Sequence, residues 1–135
     1  MPNSQPVKIV AIRSEQDVIV ARQEGRTLAQ RLGFSPVDQA RITTAISELA
    51  RNIVVYGERG AVTLNEVTDG TRAGIEVTFD DEGPGISDID RAMGQGYTTG
   101  KGLGAGLPGT QRLMDEFEIQ SAPGEGTHIV IRKWR

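Results

Sequence analysis

Cysteine is absent from the 135-residue chain, which excludes disulfides and thiolate metal sites. Aromatic residues make up only 4%, so the stacking platforms that hold single-stranded nucleic acid are not expected. Basic residues are outnumbered, with 15 Lys and Arg against 18 Asp and Glu, for a formal net charge of −3. A protein that grips a phosphate backbone needs the opposite balance. No run approaches the roughly 18–20 consecutive apolar residues that span a bilayer. Met1 to Val10 also lacks the basic start and apolar core of a signal peptide. Neither nucleic acid nor membrane is an expected partner, and a cytosolic location is the simplest reading. The length predicts one domain, 1–135, large enough to bury about two-thirds of its unfolded surface without staples. Glycine is the residue in excess: 17 in all, nine of them between Gly83 and Gly109. Glycine concentrated in one segment suggests a backbone shaped around a ligand.

Val7 to Ile12 reads as a first strand. Ser14 with Asp17 three residues on resembles a capping box and opens a helix that Gly33 should stop. Ser35-Pro36 then restarts a helix with a hydroxyl cap and proline at the first position. Its stripe of Ile42, Ala45, Ile46, Leu49, Ala50, Ile53 and Val54 is the strongest periodic signal in the chain, ending near Tyr56-Gly57. Val62 to Val67 and Ile75 to Asp80 read as strands joined at Asp69-Gly70. In the second, Ile75, Val77 and Phe79 are expected in the core, with Glu76, Thr78 and Asp80 on a wet face.

Asp81 to Gly106 leaves little room for regular structure beyond a short helix near 87–93. Leu107 to Glu116 reads as a helix with Pro108 near its start. Phe117 to Ser121 and Thr127 to Trp134 read as a closing hairpin that turns at Pro123-Gly124 and Gly126. The order predicts an α+β two-layer sandwich, with helices on one face of a mixed, mostly antiparallel sheet.

Three places could carry chemistry. Glu48 and Asn52 lie one turn apart on the same side of the second helix. A carboxylate there can take a proton from an attacking hydroxyl, and an amide oxygen can complete a Mg²⁺ shell. A solvated polar face would look the same. Asp80-Asp81-Glu82-Gly83-Pro84-Gly85 follows a strand, so a carboxylate can sit at a pocket floor while glycines admit a flat ligand. An acidic turn is the plain alternative. Gly100-Lys101-Gly102-Leu103-Gly104-Ala105-Gly106 leads into a helix, where unpaired amides and the helix dipole favour an anion. The spacing fits neither a Walker loop nor a Rossmann fingerprint, and a flexible linker is the bland option.

Taken in order, Glu48-Leu49-Ala50-Arg51-Asn52, Asp81-Glu82-Gly83-Pro84-Gly85 and Gly102-Leu103-Gly104-Ala105-Gly106 resemble the three boxes of the Bergerat, or GHKL, ATP-binding fold. Gyrase, heat-shock chaperones, histidine kinases and mismatch-repair ATPases share that fold. Gly124-Glu125-Gly126-Thr127 resembles its late glycine–threonine element. The wording of Arg41 to Asn52, of Gly102 to Gly109 and of Arg112 to Phe117 further resembles the serine/threonine switch kinases of bacterial stressosomes, relatives of the anti-sigma factor kinases.

The resemblance implies ATP and Mg²⁺ as cofactors. It implies Asp81 against the adenine amino group, with Gly83 and Gly85 shaping that pocket and Thr127 nearby. It implies Asn52 as the Mg²⁺ ligand and Glu48 as the general base. Gly102, Gly104 and Gly106, with Leu103 and Ala105 between them, would cradle the phosphates under a lid at about 86–103. Lys101 could meet the terminal phosphate, though a solvated lid lysine is an equal reading.

Within that fold, a histidine kinase would need a phosphoacceptor histidine on a helical hairpin. The one histidine, His128, reads instead as a surface strand residue. Gyrase-like and chaperone ATPases need further domains. Two functions are left: a serine/threonine kinase, or an ATP-dependent binding module such as an anti-sigma factor. The resemblance favours the kinase, with STAS-domain scaffold or antagonist proteins as substrates and a downstream phosphatase as a second partner.

Overall fold

The computed structural model describes residues 3–83 and 103–135. The chain runs as β1 (Asn3–Ile12), α1 (Glu15–Arg31), α2 (Pro36–Tyr56), β2 (Gly60–Asp69), β3 (Arg72–Asp81), α3 (Leu103–Leu113), β4 (Glu116–Ser121) and β5 (Thr127–Trp134). The expected short helix near 87–93 lies outside the described residues. No helix among the described residues is long and apolar enough to cross a membrane.

Local chemistry sets both long helices. The Asp17 carboxylate accepts from the backbone N–H of Arg13 at 2.8 Å and of Ser14 at 3.1 Å, satisfying amides that the first turn leaves unpaired. Ser35 Oγ accepts from the Asp38 N–H at 3.2 Å, and Pro36 follows it at the first helical position. The stripe of α2 is buried as its period requires, with Ile42, Ala45 and Ile46 wholly excluded from water. It packs between α1 and α3 and onto the sheet, so one helix touches nearly every part of the core.

The sheet has the order β1-β2-β3-β5-β4, and all four neighbouring pairs are antiparallel. The expected mixed sheet is therefore corrected. Two helices separate β1 from β2 and return the chain to the end where β1 finished, so β2 runs back beside it. The passage from β3 through α3 does bring β4 in parallel to β3, but β5 inserts between them and removes the parallel contact.

Two further expectations change. Helix α3 begins at Leu103 and ends at Leu113, earlier at both ends than the sequence pattern suggests. Gly104 and Gly106 disguise its start, since each costs about 1 kcal/mol of helix propensity relative to alanine. Pro108 falls inside the helix, where it removes a hydrogen bond to the turn before it. Burial of Leu107 and Thr110 offsets these costs. The helix stops early because the Asp115 N–H already donates to the Arg132 carbonyl at 3.0 Å, which draws the chain into the sheet.

The second change is on the sheet face away from the described helices. Glu76 is not wet: it is 7% exposed. Its Oε1 accepts from Ser4 Oγ at 2.7 Å and from Asn65 Nδ2 at 3.1 Å, and its Oε2 accepts from Arg132 Nε at 2.7 Å. Arg132 Nη1 also donates to Glu116 at 3.0 Å and to Glu118 at 2.7 Å. Burial alone would lower the Arg132 pKa, but the bonds to Glu76, Glu118 and Glu116 hold it above its ordinary value. One row of polar side chains thus crosses all five strands. Arg132→Met should lower the unfolding free energy by about 3 kcal/mol, because it strands a buried carboxylate. Urea denaturation measures this; a loss below about 1 kcal/mol would class the network with exposed pairs.

Candidate functional site

Helix α2 and strand β3 finish side by side, with Gly57 at the end of the helix against Asp81. Asp81 is the last residue of β3. Its Oδ1 accepts from the Gly83 N–H at 2.9 Å and from the Thr127 N–H at 3.2 Å, so the carboxylate joins β3, the loop after it and the start of β5. Among the described residues, Oδ2 has no hydrogen-bond partner. The loop can close this tightly because Gly83 lies against the end of α2: a Cβ there would stand 2.6 Å from the Gly57 Cα and the Tyr56 carbonyl oxygen. A Cβ on Gly126 would strike the Asp81 carbonyl oxygen.

Burial raises the Asp81 pKa above its ordinary 3.8, against the two backbone hydrogen bonds, and the charges of Asp80 and Glu58 add to the rise. A half-buried carboxylate that keeps one oxygen unpaired is an acceptor held ready for a donor on a ligand.

Asn52 lies one turn and Glu48 two turns before the end of α2. Asn52 Nδ2 is buried and has no hydrogen-bond partner among the described residues. Leaving a buried polar group unsatisfied costs about 1–3 kcal/mol, which a bound group could recover. The two ends of a carboxamide exchange by a flip, so the same position can offer oxygen to a hard cation. No cluster of three or more potential metal-ligating side chains occurs among the described residues. The arrangement fits Mg²⁺, which takes one or two protein oxygens and completes its shell with phosphate and water.

Glu48 is open, with its side chain 46% exposed, and Arg51 Nη1 lies 3.7 Å from its Oε1. Arg51 is shared, since its Nε lies 3.3 Å from Glu15 Oε1 on α1. Such exposed pairs are worth little, so Glu48 is free to turn toward a substrate.

Helix α3 packs on α2, and its first turn is Leu103 to Gly106. The earlier start therefore puts the backbone of Leu103, Gly104, Ala105 and Gly106 where N–H groups lack intrahelical partners, the setting that favours phosphate. Gly85, Lys101, Gly102 and the expected lid short of Leu103 lie outside the described residues. His128 sits on the sheet face away from the described helices, paired with Asp80, as a surface strand residue should. Two cavities of about 310 and 380 Å³ are lined by Asp80 and Asp81, the second also by Gly126 and Thr127, and neither reaches Glu48 or Asn52.

A half-buried aspartate at the end of a strand, an unsatisfied asparagine and a free carboxylate on one helix, and a glycine-rich helix start are the kinds of group that a nucleotide site uses. Residues 37–134 match the family of histidine kinase-, DNA gyrase B- and HSP90-like ATPases. The chain belongs to that family. Within it, the chain is 54% identical over 125 residues to the serine/threonine-protein kinase RsbT of Bacillus subtilis, covering 93% of this chain and 94% of that protein. It is 33% identical over 129 residues to an anti-sigma F factor of Thermoanaerobacter, covering 91% and 89%. A crystal structure of the RsbU and RsbW domains of Rv1364c from Mycobacterium tuberculosis superposes with a TM-score of 0.61 at 18% identity. That likeness covers 96% of this chain and 34% of the other, and it shows the shared fold.

A residue beside Asp81 that sequence reasoning missed is Gly57. It reads as a helix stop, and only its distance from Asp81 gives it a second meaning. The raised Asp81 pKa has a direct consequence. The folded chain binds a proton there more readily than the unfolded chain, so this group's contribution is full below its unfolded value and lost as pH rises through the folded one. Asp81→Asn should therefore raise the urea midpoint of the nucleotide-free protein at neutral pH, with the advantage shrinking toward about pH 4. Equal midpoints at both pH values would contradict the cost assigned to the buried charge.

Proposed function

We propose that the chain is a serine/threonine-protein kinase that transfers the γ-phosphoryl group of Mg·ATP to STAS-domain scaffold or antagonist proteins. The whole chain acts as one such domain, in the cytoplasm, within a partner-switching pathway. Once released from its scaffold it binds and activates a downstream phosphatase. The observation that carries the kinase reading is the accessible Glu48 carboxylate one turn from the unsatisfied Asn52 side chain. Identity of 54% across nearly the full length of a protein named as such a kinase supports it.

In this reading Asp81 Oδ2 accepts from the adenine amino group, with Gly83 and Gly85 closing on the ring and Thr127 beside it. The first-turn amides of α3, with Gly102 and Lys101 before them, hold the phosphates. Asn52 would ligate Mg²⁺, which neutralises charge on the phosphates when bound. Glu48 accepts the proton of a substrate hydroxyl as its oxygen bonds to the γ-phosphorus. The bond from that phosphorus to the β–γ bridging oxygen breaks, and the electron pair leaves on ADP. A switch kinase needs a hydroxyl-bearing partner at Glu48, and the open side chain leaves room for one.

A second reading is favoured by the relatives at 33% identity that are named anti-sigma F factors. There the nucleotide shapes a surface that sequesters a sigma factor, and transfer is secondary.

Transfer of labelled γ-phosphate to a STAS-domain protein separates the two. Glu48→Gln should reduce transfer by about 10²–10⁴-fold while leaving ATP affinity nearly unchanged. Near-normal turnover in that variant would remove Glu48 from the base role. If the parent binds both ATP and partner yet transfers nothing, the binding-module reading holds. Asp81→Asn should weaken ATP binding by about 10–150-fold, as loss of a charge-assisted hydrogen bond does. An unchanged affinity, read by calorimetry, would take Asp81 out of the adenine pocket.

A further inference from the structure

Gly57 closes α2, and its N–H donates to the Ile53 carbonyl at 2.9 Å. Its backbone, at φ −92° and ψ 2°, is open to any residue, so conformational freedom does not explain a glycine here. Space does. A Cβ at this position would lie 2.7 Å from both Cβ and Cγ of Asp81 and 2.9 Å from Oδ2. The bare Cα also serves as the wall on which Gly83 rests.

Rotation cannot relieve such a contact. Oδ1 is fixed by the Gly83 and Thr127 amides, and the Asp81 Cβ is part of the collision. Any side chain at position 57 must displace the Asp81 carboxylate or push back the end of the helix that carries Glu48 and Asn52.

We propose that Gly57 is a specificity-determining residue: its missing side chain sets where Asp81 Oδ2 stands, and so lets the site read the amino group of adenine. The proposal rests on the reading of Asp81 as the adenine acceptor. Adenine presents a donor at position 6, whereas hypoxanthine presents an oxygen there, which a carboxylate repels. Selectivity for ATP over inosine triphosphate therefore reports the position of Oδ2 apart from the general fitness of the site. Gly57 touches no substrate and acts through Asp81.

The test is equilibrium binding of Mg·ATP and Mg·inosine triphosphate to the full chain and to Gly57→Ala, with Asp81→Asn alongside. Gly57→Ala should weaken ATP by at least about 10-fold and inosine triphosphate by less than about 2-fold. Equal losses for both nucleotides, or none, would overturn the proposal. Asp81→Asn tells which step failed. If it collapses the selectivity and Gly57→Ala does not, only the role of Gly57 falls. If Asp81→Asn also leaves selectivity intact, the adenine reading falls and takes this inference with it.

Should Gly57→Ala not fold, an Asp81→Gly background removes the atoms that the new methyl meets. The double variant should then fold cooperatively, with a Tm close to that of Asp81→Gly alone. A double variant that still fails to fold, where Asp81→Gly alone folds, would show that Asp81 is not what Gly57 makes room for, and would overturn the proposal.

Discussion

The hydrogen bonds from the Gly83 and Thr127 amides to Asp81 Oδ1 tie together segments more than forty residues apart, and the geometry of the site depends on them. They fix the last residue of β3 against the first residue of β5, on strands that already pair along their length. They also draw the loop after β3 against the end of α2, a closeness that only glycine at 57 and 83 permits. One carboxylate oxygen is used for structure, and among the described residues the other has no hydrogen-bond partner. In the proposed function that division would give the site a fixed acceptor that needs no rearrangement to meet a base.

Helix α2 does the complementary work. One side is the apolar stripe of Ile42, Ala45, Ile46, Leu49, Ala50 and Ile53, which anchors the helix in the core. Glu48 and Asn52 stand off that stripe, and the rigidity of the packed side holds their backbone in place. The site also carries local costs: Asn52 keeps an unsatisfied buried amide, and Asp81 keeps a partly buried charge. Sites that bind charged ligands commonly concentrate such costs, because the groups a ligand needs are the groups that the empty site leaves unpaired.

Much of this was legible in the sequence because it is local. Ser35-Pro36 announces the start of α2, and its stripe announces the buried side. Asp81 stands at the end of an alternating strand, and its tie to Thr127 lies where the late glycine–threonine element suggested. What escaped was set by distant neighbours. Glu76 alternates like a wet residue, and only Arg132, fifty-six positions on, makes its burial tolerable. The start of α3 hides behind Gly104, Gly106 and Pro108, whose poor propensity is overcome by packing on α2. The antiparallel sheet depends on where β5 inserts, which no local pattern encodes. Gly57 looks like a helix stop until Asp81 is seen beside it.

The central claim is that Asp81 Oδ2 and Asn52 are the two fixed points of a nucleotide site. A crystal structure with Mg²⁺ and a non-hydrolysable ATP analogue tests it most directly. The account predicts the adenine amino group within hydrogen-bond distance of Asp81 Oδ2, the metal on the Asn52 side chain, and the phosphates over the first turn of α3. A bound nucleotide that leaves Asp81 Oδ2 facing water, or a metal held away from Asn52, would contradict it.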